Sequence, residues 1–409
     1  MLLSKALILS SLSLAWSQIN SQPDLRQQRI LQDVSDNSSS FALDMLESLI
    51  NIAASSGKNL MVSPLLIWSL LLPLVEGAGG MTLTQMRSVL RLSKESRLSL
   101  AYRSVKDFSR INTPSIKVAF LQRIFIDQNQ PMNFDYRKRI EQEYDADILY
   151  PVDAEEPIKT AALINDEVRA VTKIPYVIAP QDLSFIDMVL LLTVVFKGQW
   201  KKPFNMSRTR SEPFYDEAGR QIGNVNMMVQ VGRFNNTYMN DLEGHVLELP
   251  YGEDDRLSML LILPNRGTSL LQVARNLQKV GIAKIFDRFI ADAVKFADDE
   301  VEVFVPKFTS TSDLAINLLL IKMGMIDLFE RNANLTKIKS DFFLNTMLQI
   351  TEITVDEKGT TSAGVTVAEL TNRMEPNDIL LNRPFIYMVV EKRINLILFC
   401  GLFVNPEDV

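Results

Sequence analysis

A chain of 409 residues with a single cysteine, Cys400, can form no internal disulfide, so packing alone must hold whatever fold it takes. The composition allows this: 47% of the residues are hydrophobic and 22% charged, which suits a large buried core rather than a disordered chain. Cys400 lies in Leu396-Ile397-Leu398-Phe399-Cys400-Gly401-Leu402-Phe403, a run that reads as a buried strand in which cysteine is a small hydrophobe. Length alone favours two or three domains of about 150 residues each. No repeat, low-complexity tract or Gly/Pro-rich linker divides the body, and one α+β domain is the simpler expectation.

The start has the order of a secretory signal: Lys5, the apolar run Ala6-Leu7-Ile8-Leu9 with Leu12 and Leu14, then Ala15-Trp16-Ser17. Residues 1–17 are therefore expected to be removed, residues 18–40 to form a polar tail, and residues 41–409 to fold. No run reaches the about 20 apolar residues that a membrane span needs. Acceptor patterns for N-glycosylation begin at Asn37, Asn205, Asn235 and Asn334, which fits export into the extracellular space as a glycoprotein. A net charge of −6 opposes attraction to nucleic acid and to anionic membranes, and Lys201-Lys202 reads as a solvated face.

Apolar spacing predicts a helix from Phe41 through Ile50 and another from Ser63-Pro64, with Ser as cap and Pro at the first position, ended or kinked at Pro73. Thr82-Leu83-Thr84-Gln85 has the form of a capping box for a helix to Leu90. Strands are expected at Val118–Ile126, Met188–Phe196, Val225–Phe234, Val246–Leu249, Leu257–Leu263, Val301–Phe308, Ile386–Glu391 and Leu396–Val404. Helices fit near Asp135–Tyr144, Ala161–Thr172, Leu270–Val280 and Asp313–Met323.

Parts for catalysis are scarce. The one histidine, His245, would have to serve any Ser-His or Cys-His site, and inside a strand-like run it reads as structural. One His with one Cys does not make a zinc site of the usual kind, and no glycine-rich phosphate cradle is present. No cofactor or metal is expected, and the chain is not read as an enzyme.

Attention moves to Thr360-Thr361-Ser362-Ala363-Gly364-Val365-Thr366-Val367-Ala368, which follows the strand-like run ending in Val355-Asp356-Glu357-Lys358-Gly359. It holds no Pro and no charge, and its residues suit a strand as well as a surface loop. As a strand it would place the small residues Thr360, Ser362, Gly364, Thr366 and Ala368 on one face. Beyond it, Asn372-Arg373-Met374-Glu375-Pro376-Asn377 reads as exposed and extended.

From about Phe41 to Pro406 the chain resembles a serpin. The resemblance rests on Asn59-Leu60-Met61-Val62-Ser63-Pro64, Glu76-Gly77-Ala78, Phe196-Lys197-Gly198-Gln199-Trp200-Lys201-Lys202-Pro203-Phe204, Val246-Leu247-Glu248-Leu249-Pro250-Tyr251, Val305-Pro306-Lys307-Phe308 and Arg383-Pro384-Phe385, in that order and spacing. It implies a single α+β domain of three β-sheets and about nine helices, with an exposed reactive-centre loop. It also implies a secreted, monomeric suicide substrate for a trypsin-like serine protease, trapped as a covalent acyl-enzyme.

In that scheme Arg373-Met374 is the bond attacked, and Glu357, Gly359, Thr360, Thr361, Ser362, Ala363 and Gly364 form the hinge from which the loop inserts. Asn59, Ser63, Trp200 and Gln349 belong to the region where the sheet opens. Leu66, Leu192 and Gln349 stand where the family usually has Ser, Asn and His, which implies apolar packing and one amide in place of a polar network. Glu167 likewise stands where Trp is usual. A non-inhibitory serpin acting as a binding, carrier or storage protein is the alternative.

Overall fold

The apolar run at residues 188–198 becomes the central strand of a five-stranded sheet in the computed structural model, which describes residues 25–109, 111–129, 131–172, 176–183, 187–295, 300–359 and 378–407. The sheet runs β11 (Phe308–Ala315), β12 (Thr346–Val355), β4 (Met188–Gly198), β2 (Ile116–Asp127), β3 (Leu149–Val152). Met188, Leu190, Leu192, Val194 and Phe196 of β4 enter the main core. Val189 and Leu191 enter a second cluster with Phe125, Ile164 and Val168 beneath helix α6 (Pro157–Thr172). Both faces are covered, so the strand shows no polar alternation.

The second sheet has six antiparallel strands: β1 (Leu60–Val62), β15 (Leu396–Phe403), β14 (Phe385–Glu391), β9 (Leu257–Pro264), β8 (Gly244–Tyr251) and β7 (Asn236–Met239). Cys400 is buried there beside Val62 and Met388, and burial pushes its thiol up to about 12. The third sheet is β13 (Ile379–Leu380), β10 (Val301–Pro306), β6 (Gln221–Gly232), β5 (Arg210–Tyr215). Three sheets within an α+β fold match the expectation.

Eight α-helices lie among the described residues: α1 (Leu25–Ser56), α2 (Pro64–Gly77), α3 (Gly80–Val89), α4 (Leu98–Ser109), α5 (Phe134–Glu143), α6, α7 (Leu270–Lys295) and α8 (Asn317–Lys322). Gly281 interrupts α7 with φ 73° and ψ 160°, a conformation that favours glycine, so the helical segments number nine.

Several expectations need correction. The polar tail does not extend to residue 40, because residues 25–40 are the first half of α1. Ile30, Leu31 and Val34 pack on the core among polar neighbours, and Ser35 and Ser39 donate to the carbonyls of Ile394 and Asn395. A narrow apolar stripe in a Gln/Ser/Asp-rich segment hides that helix.

Pro73 neither ends nor divides α2, which continues to Gly77. The capping box does not form. α3 starts after Gly79, while Thr82 accepts from the Asn334 amide and Gln85 from those of Ile326 and Asp327. The helix expected at Asp313–Met323 shrinks to residues 317–322, since β11 takes residues up to Ala315. Lys307 separates two strands where one, Val301–Phe308, was expected.

Candidate functional site: the seam between two parallel strands

β12 and β4 run parallel and pair directly from Thr346↔Val189 to Ile353↔Phe196. Parallel neighbours cannot be joined by a tight turn, and the chain leaving β12 reverses direction at once. Asp356 and Gly359 exchange both backbone hydrogen bonds, at 3.0 and 3.2 Å, with Glu357-Lys358 at the tip. Gly359 also bridges Gln199 in the antiparallel sense, one residue beyond β4. The chain is thus turned back at the mouth of the seam, antiparallel to both strands that border it.

This mouth is firmly tied. The Trp200 indole donates to the Asp356 carbonyl at 2.8 Å and stacks on Tyr251 at 4.5 Å between centroids. Backbone amides of Trp200 and Phe204 donate to the carbonyls of Lys358 and Glu357. Glu357 is 4% exposed, with Oε1 held by Thr209 at 2.8 Å and Oε2 by Lys307 at 3.0 Å. Burial alone would raise its pKa, yet these bonds and its own backbone amide outweigh burial and leave it below the ordinary 4.5. Gly359 has φ +107°, and a Cβ there would lie 2.3 Å from the Gly198 carbonyl oxygen. Only glycine fits the turn.

The middle of the seam is closed differently. Gln122 of β2 and Gln349 of β12 face Leu192 of β4 in one row across three strands. Gln349 accepts from the Ser63 amide at 2.9 Å and donates to the Ser63 carbonyl at 3.2 Å. Gln122 donates to the Leu66 carbonyl and to the Ser69 hydroxyl. The expectation of one amide is therefore short by one, because Gln122 replaces polar reach from the other side. Leu66 and Leu192 are buried among apolar neighbours as expected. Ser63 precedes α2 without capping it, and its hydroxyl donates to the Leu398 carbonyl at 2.8 Å. Thr351 and Ser312 bond the Met61 carbonyl and amide, extending the same seal.

Asn59 and Trp200 do not join Ser63 and Gln349. Asn59 clamps the C-terminal segment, accepting from the amides of Val404 and Asn405 and donating to the Asn405 carbonyl. Trp200 sits at the mouth, as described. Glu167 on α6 pairs with Arg123 of β2 at 3.5 Å, fixing the helix across the sheet. Thr209 and Lys307 were missed by sequence reasoning. Lys307 lay inside a quoted motif, but nothing in it pointed to Glu357, fifty residues away.

Residues 360–364 of the hinge and Arg373-Met374 fall outside the described residues, as does the signal segment 1–17. Of the glycosylation positions, Asn235 is exposed and Asn37, Asn205 and Asn334 are half-buried. His245 lies on β8 with its ring 5.0 Å from Tyr238. Its Nδ1 is buried without a hydrogen-bond partner, and burial together with the charge of Arg383 lowers its pKa. Among the described residues no nucleophile bonds it. No cluster of three metal-ligating side chains and no helix long and apolar enough to cross a membrane occurs among the described residues.

The family model for serpins, serine protease inhibitors, matches residues 36–406. This chain is a serpin. Human Serpin B8 is 27% identical over 400 residues, covering 92% of this serpin and 100% of its own length. Mouse antithrombin-III is 29% identical over 404 residues, covering 94% and 84% respectively. The crystal structure of human thyroxine-binding globulin matches the serpin's fold with a TM-score of 0.76 at 22% identity, over 92% of this chain and 99% of that one. Most relatives of such a serpin are protease inhibitors rather than catalysts.

Proposed function

We propose that this serpin inhibits trypsin-like serine proteases by offering Arg373-Met374 as a bait bond and inserting the freed segment into the β12–β4 seam. The observation that supports the reading is the turn at Asp356–Gly359, which leaves Gly359 antiparallel to both strands that border the seam. Attack on the Arg373 carbonyl forms an acyl bond to the protease serine and breaks the peptide bond, and the new amine leaves on Met374. Residues from Thr360 onward then replace the direct β12–β4 ladder with two ladders, each new bond contributing about 1 kcal/mol net. An exposed Arg suits a specificity pocket that pairs a guanidinium with a carboxylate.

Secretion follows on this reading from the segment at residues 1–17, and glycan attachment from the four acceptor patterns. Glycosidase treatment of the exported protein should lower its mass. The decisive experiment mixes the purified serpin with trypsin on a denaturing gel: a covalent complex through Arg373 is expected, and nicking without a complex would overturn the proposal.

The second reading, a binding or carrier serpin, is favoured by the middle of the seam, where two amides and buried leucines hold the strands together. It predicts a nicked protein whose Tm is unchanged, whereas insertion raises Tm.

A further inference from the structure

The turn between β5 and β6, the end of β9 and the segment entering β14 enclose a cavity of about 280 Å³. Two guanidinium side chains line it, Arg266 and Arg383. Arg266 is exposed and makes no ion pair among the described residues. Arg383 is half-buried and spends one Nη2 bond, 2.7 Å long, on the Pro264 carbonyl, while its Nε is buried with no acceptor.

The carboxylates on the wall are already engaged. Asp216 is held by Arg220 through both side chain and backbone, and Glu217 accepts from the Leu270 amide at 2.8 Å. Burial first, then the neighbouring Arg266, disfavours the charge on Arg383. A half-buried guanidinium beside a second one with no counter-ion is costly, and a forked donor pair matches the oxygens of a tetrahedral anion.

We propose that this cavity is a binding site for a tetrahedral oxyanion, sulfate or phosphate, clasped between Arg266 and Arg383. The oxyanion can be a free ion or an ester on a small sugar, since both present the same oxygens. Bound there, it would tie the β5–β6 turn and the β9 end to Asn382-Arg383-Pro384, immediately after β13. The site is independent of protease trapping, because neither arginine belongs to the bait bond or the seam.

The test is thermal unfolding of the full serpin in sodium sulfate, sodium phosphate or a sulfated monosaccharide, each against sodium chloride at equal ionic strength. A saturable Tm rise of about 3 °C at hundredfold excess over Kd is expected, absent in chloride. Arg266→Ala, at an exposed position without bonds, should fold normally and lose that rise. Arg383→Lys, which keeps the charge but not the fork, should weaken affinity tenfold or more. A sugar sulfate binding tenfold tighter than free sulfate identifies the ester as the natural form, and equal binding identifies the free ion. A wild-type response no larger in sulfate than in chloride, or one unchanged in Arg266→Ala, overturns the proposal.

Discussion

The two ends of one seam are built in opposite ways. At its mouth, Gly359 is already bridged to Gln199 and turned inward, fixed by Trp200 and by the Glu357 pair. Ten residues down β12, Gln349 and its row partner Leu192 close the sheet with apolar contact and two bonds to Ser63. The proposed insertion would start from the mouth at little cost, since the chain already reverses there. On the proposed insertion, the middle would have to give up the direct β12–β4 pairing before a strand could pass, which would place the barrier there.

Substitutions can separate the two ends. The largest effect is expected for Gly359→Val, whose side chain meets the Gly198 carbonyl at a backbone angle that L side chains rarely adopt. The yield of covalent complex with trypsin, read on a denaturing gel, should fall tenfold or more. A wild-type yield would show that the mouth does not direct insertion.

Next comes Gln349→Leu, which strands the Ser63 amide in the core, while the Ser63 carbonyl keeps the Ile67 amide as its donor. The one unpaired amide costs about 1–3 kcal/mol, so the native Tm should drop by a few degrees in a melting curve. Insertion should become faster, because the seal is weaker. Slower insertion would place the barrier elsewhere.

A smaller loss is expected for Trp200→Phe, which keeps an aromatic ring beside Tyr251 but removes the donor to Asp356. Native stability in urea should fall by about 1 kcal/mol.

The smallest effect is a pH dependence. Glu357 has a depressed folded pKa, so its contribution is complete above about 4.5 and is lost as pH falls through the lower folded value. Lys307→Met should reduce the difference in urea stability between pH 7 and pH 3.5. An unchanged difference would remove the Glu357 pair from the mouth's support.

How much of this was legible depended on how far apart the partners lie. Met188–Phe196 announced a buried strand because apolar burial is written residue by residue. Residues 25–40 did not announce a helix, because Ile30, Leu31 and Val34 form a stripe only once the 394–395 turn covers it. Gln349 was recognised as a departure from the family, while Gln122 was not, since an amide reaching the Leu66 carbonyl leaves no local pattern. Asn59 was placed in the sheet-opening region by motif and turned out to clamp residues 404 and 405.

By itself the sequence determined the α+β class and the reliance on packing without a disulfide, which follow from composition and period. The tertiary structure alone decided that β12 and β4 lie parallel with nothing between them, and that Glu357 rests on Thr209 and Lys307. It also decided that Arg266 and Arg383 share a cavity. Those facts depend on which distant segments meet, and side-chain bonds across fifty residues or more are set by the packed core, not by neighbours in the chain.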